Sequence, residues 1–122
     1  MEYSIAPSDD GKYILLKVVG EFGRQQALAW HLEAHKMGAE MGVDRFLLDF
    51  YEGRNTDTVM RNYTFVSQDM RSPGINLAAR IAMLVSPYDH SHDFIEALLK
   101  QEGVDVALFY DIEPAIAFLN QI

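Results

Sequence analysis

Short apolar runs alternate along this chain with segments in which apolar residues recur every three or four positions. Tyr3 to Ala6 and Tyr13 to Val19 are β-prone runs separated by Pro7-Ser8-Asp9-Asp10-Gly11-Lys12, whose Asp-Gly pair predicts a turn between antiparallel strands. Gly20 to Gly23 breaks the run. Ala27, Trp30, Ala34, Met37 and Met41 then mark one face of a helix that Gly42 closes. Asp44 to Phe50 is apolar without alternation, which suits a central strand covered on both faces, and Tyr51-Glu52-Gly53-Arg54-Asn55-Thr56 reads as the turn behind it. Val59, Tyr63, Val66 and Met70 give a second helical stripe, ended by Ser72-Pro73-Gly74. Arg80 to Val85 is a strand, and Phe94, Ile95, Leu98 and Leu99 define a third helix that stops at Gly103. Val104 to Tyr110 is the last strand. Asp111 is placed to cap a final helix with Pro114 in its first turn and Ile112, Ala115, Ile116 and Leu119 turned inward.

The order β-β-α-β-α-β-α-β-α predicts a single α/β domain over residues 1–122, with a mainly parallel five-stranded sheet and an antiparallel hairpin at its amino-terminal edge. The same periodicities place Ile14, Leu16, Trp30, Phe46, Leu48, Ile81, Met83, Val85, Leu98, Val106, Leu108 and Ile116 in the core. Loops at the carboxyl ends of parallel strands are where such sheets meet ligands or partners, which directs attention to the segments after the central and fourth strands.

Composition narrows the function classes. A formal charge of −8, from 18 acids and 10 bases, argues against a phosphate backbone as partner and favours basic ones. The absence of cysteine removes disulfides, thiolate metal sites and thiol nucleophiles. No apolar stretch nears the ~18 residues of a spanning helix, and the amino terminus carries Glu2, Asp9 and Asp10 without a long apolar segment, so a cytoplasmic location without membrane insertion is expected.

The carboxyl-terminal third carries a family resemblance. Arg80-Ile81-Ala82-Met83-Leu84-Val85, Val104-Asp105-Val106-Ala107-Leu108-Phe109-Tyr110-Asp111 and Glu113-Pro114-Ala115-Ile116-Ala117-Phe118-Leu119 resemble the strand, V-x-V-x-x-F-x-D and E-x-A-x-x-[FW]-L ending of uncharacterised proteins of the STAS / SpoIIAA-like family. The order of elements is similar over nearly the whole chain. The resemblance implies helices packed chiefly on one face of the sheet and a regulatory, partner-binding module. If one face is left to apolar residues, a homodimer is the simplest cover. The family's antagonists carry D-S-[ST]-G where the third strand meets the second helix. Here the region reads Asn55-Thr56-Asp57-Thr58, so their phosphorylation switch is expected to be absent or different.

Several groups compete as sites. Thr56 and Thr58 are hydroxyls near a helix amino terminus, and Asn55 or Thr56 is the expected cap of that helix. Phe65 lies off the Val59/Tyr63/Val66 stripe and is expected to be exposed for partner contact. His31 and His35, one turn apart, are expected to be half-buried at the edge of the first helix's packed face; His31-Leu32-Glu33-Ala34-His35 lacks the H-E-x-x-H spacing of a zinc protease. Asp89-His90-Ser91-His92-Asp93 is the densest polar cluster, with Asp89 or Ser91 the expected cap of the third helix. It supplies a binding patch through Asp89, His90 and His92. No phosphate loop, nucleophile elbow, dinucleotide fingerprint, metal-ligand set or catalytic constellation is present, and no cofactor is implied. These readings converge on a non-catalytic protein-binding or regulatory module. The alternatives are a small-molecule or lipid-binding domain, through the fold's kinship with lipid carriers of the SEC14 type, and a metal-dependent enzyme centred on Asp89, His90, His92 and Asp93.

Overall fold

A computed structural model describes all 122 residues. The strands are β1 (Glu2–Pro7), β2 (Ile14–Phe22), β3 (Arg45–Asn55), β4 (Arg80–Leu84) and β5 (Asp105–Phe109); the helices are α1 (Arg24–Met41), α2 (Val59–Ser67), α3 (Asp93–Gln101) and α4 (Ile112–Leu119). A short 3-10 turn, Asp69–Arg71, follows α2. The five strands lie in the order β1-β2-β3-β4-β5, with β1 antiparallel to β2 and the other pairs parallel.

This sequential order decides where the helices go. Each parallel crossover steps in the same direction across the sheet, and right-handed crossovers made in one direction all pass over the same face. Hence α1, α2 and α3 share one side and cover Ile14, Leu16, Val18, Phe46, Leu48, Ile81, Met83 and Val106. No crossover constrains α4. It folds onto the opposite face, where Ala115 and Leu119 bury Leu47, Ala82 and Leu84. Part of the cover that the sequence reading assigns to a second copy is therefore supplied within the chain.

The central strand outruns its expected end. Tyr51 to Asn55, read from sequence as a turn, continues β3, and Glu52 to Asn55 pair with Val19 to Phe22 of β2, which likewise passes through Gly20 unbroken. The β3–β4 ladder stops at Asp49 and Leu84, so the extension is a two-stranded arm projecting past the sheet. Exposed on this arm, Tyr51, Glu52 and Arg54 need not be apolar, which explains their turn-like composition. A one-residue bulge in β3 opposite Val18 starts the arm, and Gly53 is required there because a Cβ would stand 2.9 Å from the Val18 carbonyl oxygen.

Nine of the twelve expected core residues are buried. Leu98, Leu108 and Ile116 are only half-buried because they lie where a short helix or the last strand borders solvent. Ile112 is exposed, since α4 meets the sheet through Ala115 and Leu119, and Asp111 precedes α4 without a side-chain cap. No helix is long and apolar enough to cross a membrane.

Gly38 sets how closely α1 approaches β3. An added Cβ would meet the Val43 carbonyl oxygen at 2.7 Å and the Phe46 ring at 2.9 Å. Gly38→Ala should therefore destabilise the protein by about 1–3 kcal/mol through overpacking, despite alanine's ~1 kcal/mol advantage within a helix. Equilibrium urea unfolding measures the sign, and a stabilised variant would contradict the packing described.

Candidate functional site

The loops at the carboxyl ends of β3 and β4 meet around Asn55, at the tip of the arm. Its backbone N–H donates to Ser91 Oγ at 3.1 Å, its side-chain amide donates to Asn62 Oδ1 at 2.9 Å, and its Oδ1 accepts the Asp57 N–H at 3.0 Å. Asn55 thus ties the arm to α2 and to the β4–α3 loop, and it caps no helix. Thr56 is exposed and holds the arm together through the Phe22 carbonyl, to which its N–H donates at 3.0 Å. The cap of α2 is Thr58, whose Oγ1 accepts the Arg61 N–H at 3.2 Å.

Asp57, unmarked in the sequence, is the electrostatic centre of this junction. One carboxylate oxygen accepts the Arg24 N–H at 2.7 Å at the start of α1, where Gly23 offers no capping side chain. The other accepts the Thr58 N–H at 2.9 Å and lies 2.7 Å from the Arg61 guanidinium. Burial pushes this carboxyl up, but those bonds from Arg24, Arg61 and Thr58 outweigh it and hold it below the usual carboxylate range. One side chain therefore stabilises the amino-terminal ends of two helices.

The Asp89-to-Asp93 cluster divides between surface and core. Asp89 Oδ1 accepts the Ser91 N–H at 2.9 Å, and exposed His90 pairs through Nδ1 with Asp93 at 3.0 Å. His92 turns inward, where its Nε2–H donates to the Gly53 carbonyl at 2.8 Å and its ring stacks on Phe50 at 4.8 Å. Burial outweighs the Gly53 bond and the charges of Asp89 and Asp93, so His92 is held below its ordinary pKa. The residue preceding α3 is His92, without a side-chain cap bond, where Asp89 or Ser91 was the expectation. Nowhere do three His, Asp or Glu side chains converge on a position where a metal could sit. Beside the cluster, Tyr51, Glu52, Arg54, Tyr88, Asp89 and His90 line an open groove of about 460 Å3.

Two expectations about aromatic and imidazole side chains are corrected. Phe65 is buried at 5% exposure and packs its ring against His31 at 5.5 Å, because α2 is turned so that Phe65 and Val66 face the core, as does Met70 in the 3-10 turn that follows. Val59, Met60 and Tyr63 consequently point outward, at 67%, 71% and 52% exposure. His31 and His35 are fully buried. His31 Nδ1–H donates to the Ala27 carbonyl at 2.7 Å, and His35 Nδ1 accepts the Asn76 N–H at 3.0 Å while the ring stacks on Phe46 at 4.3 Å. Burial takes His31 down to about 4 against the Ala27 bond, and burial together with the neighbouring His31 takes His35 to about 4.

Neither a family model nor a curated protein sequence matches the chain. Solved structures do. The unphosphorylated form of the anti-sigma factor antagonist SpoIIAA aligns with 99% of this chain and 100% of its own, at a TM-score of 0.53 and 17% identity. An uncharacterized protein of the DUF3478 family with a SpoIIAA-like fold, from Shewanella loihica PV-4, aligns with 97% of this chain and 92% of its own, at a TM-score of 0.57 and 16% identity. The chain has the SpoIIAA-like fold.

The buried histidines make stability depend on pH. An imidazole with a pKa of 6.5 in the unfolded chain and about 4 in the folded one binds its proton first in the unfolded state. Their contribution is complete above pH 6.5 and is lost as the pH falls toward 4, by about 3 kcal/mol for each ring. Urea unfolding at a series of pH values should show stability declining well before the carboxylates titrate. A flat profile between pH 6.5 and 5 would show that the two rings are not held neutral by the fold.

Proposed function

We propose, from the SpoIIAA-like fold and the outward face of α2, that this chain is a non-catalytic regulatory module. It binds a protein partner through the loops after β3 and β4 together with that face. The observation that carries the reading is the exposure of Val59, Met60 and Tyr63 side by side on α2. A helix normally turns such residues inward, and methionine and tyrosine are side chains that protein interfaces favour. Tyr88, 94% exposed on the β4–α3 loop, adds a second aromatic, while Thr56, Thr58 and His90 provide polar contacts nearby in the chain. The net charge of −8 favours a partner with a basic surface.

The side chains at the loops support binding better than catalysis. Thr58 Oγ1 is engaged as a helix cap, His92 Nε2–H is committed to the Gly53 carbonyl, and exposed His90 is paired with Asp93. No serine or threonine hydroxyl at these loops is hydrogen-bonded to a histidine, the pairing by which a hydroxyl is most often activated for acyl transfer.

Affinity purification from the host tests this reading. A partner should be retained in near-equal amount by the wild-type chain and lost at least tenfold from a Met60→Glu, Tyr63→Glu double variant, whose fold is checked by circular dichroism. Equal retention by both, or none by either, would remove the α2 face from the proposal.

A phosphorylation switch at Thr56 or Thr58 is not part of the proposed mechanism. Asp57 already presents a carboxylate to Arg61 and to the helix termini, so a phosphate on Thr58 would face a like charge where Arg61 is already paired. Intact-mass measurement of protein from its host should show no added phosphate on either threonine, and a stoichiometric one would reverse this.

A further inference from the structure

Between α1, α2, α3 and the sheet lies a cavity lined by Phe22, Phe50, Phe65 and Met83 and by Trp30 and His31. Gly23, Arg24, Asn55 and Asn62 are its only partly exposed lining residues and therefore form its rim. It leaves about 30 Å3 for the centres of water-sized molecules, where roughly 10–15 Å3 suffices for one water, so it is not fully packed.

A second observation concerns the lining itself. Trp30 is 1% exposed, and its indole N–H alone among the buried side-chain nitrogens and oxygens has no partner. Buried donors in native proteins are almost always satisfied, and an orphan beside free space implies an acceptor that belongs there. The charge of that acceptor is constrained. Arg24, the one cation at the rim, is bound to Asp69 through two contacts of 2.6 and 3.0 Å. His31 and His92 are kept neutral by burial. A buried anion would find no free countercharge here.

We propose that this cavity is a binding site for a small neutral molecule bearing a carbonyl-type acceptor, which receives the Trp30 N–H and lays its apolar part against the phenyl rings. Entry runs between Asn55 and Asn62, two rim residues joined by a 2.9 Å hydrogen bond. The inference goes beyond the partner-binding reading and stands or falls without it, since no partner enters the experiment.

Trp30 is the only tryptophan, so its indole N–H gives a single proton–nitrogen resonance, and the Met83 methyl provides a second signal from the same cavity. Acetone is titrated into the full chain, with isobutene, which replaces the oxygen by CH2, and acetate, its charged counterpart, as comparisons. Acetone should shift both signals saturably, with a dissociation constant on the order of 1 mM for so small a ligand, and isobutene and acetate should bind at least tenfold more weakly. In Trp30→Phe the Met83 response to acetone should fall at least tenfold; the wild-type comparison alone decides the matter if that variant does not fold. An unsaturable response, equal binding of isobutene, or a long-lived water at the Trp30 N–H that acetone does not displace would each overturn the proposal.

Discussion

A continuous run of aromatic and imidazole rings, packed partly face to face and partly edge to face, holds the helical layer to the sheet. His92 lies on Phe50, Phe50 and Phe22 flank Trp30, Trp30 meets His31, and His31 leads through His35 to Phe46. The run extends from the β4–α3 loop to the beginning of β3 by way of Trp30, His31 and His35 on the inner face of α1. Its condition is that three imidazoles stay neutral. Each does so with one nitrogen bonded to a backbone group, namely the Ala27 carbonyl, the Asn76 N–H or the Gly53 carbonyl, which compensates part of the cost of removing a polar ring from water. The fold thereby depends on pH through residues that bind it together.

The second organising feature is that the sheet is threaded in order. Because every crossover steps the same way, all three connecting helices lie on one face and all three of their preceding loops open at one end. The arm made by the ends of β2 and β3 rises at that end, and Asn55 and Asp57 fasten its tip to α1, α2 and the β4–α3 loop. The outward face of α2, the groove lined by Tyr88 and the rim of the cavity are thus neighbours by topology. The same junction that shapes the outer surface closes the space beside Trp30.

Some of this was legible in the residues. Unbroken apolar runs gave the buried strands, Asp-Gly gave the hairpin, and Gly42 and Gly103 ended α1 and α3, because those signals depend on the local chain. The α2 face was not. That helix carries apolar residues nearly all the way round, Val59, Met60, Tyr63, Phe65 and Val66, so two stripes fit its period, and packing against the core, including His31, selects the one containing Phe65. The same holds for caps. Sequence points to Asn55 or Thr56, while the length of β3 decides that Thr58 is the cap and that Asp57 also reaches the start of α1.

What the sequence determined by itself was the kind and order of the elements, and through them the fold class and the absence of cysteine chemistry, since these follow from periodicity and composition along one dimension. What only the tertiary structure decided was which groups share a place. His92 leaves the cluster it belongs to in sequence because Phe50 and the Gly53 carbonyl, 39 residues away, give its ring a buried partner. Asp57 gains its role from the Arg24 N–H, 33 residues earlier, and Trp30 keeps an unpaired donor beside a cavity that three helices and a sheet enclose together. Contacts between distant residues arise from how layers pack, and no spacing within the chain encodes them.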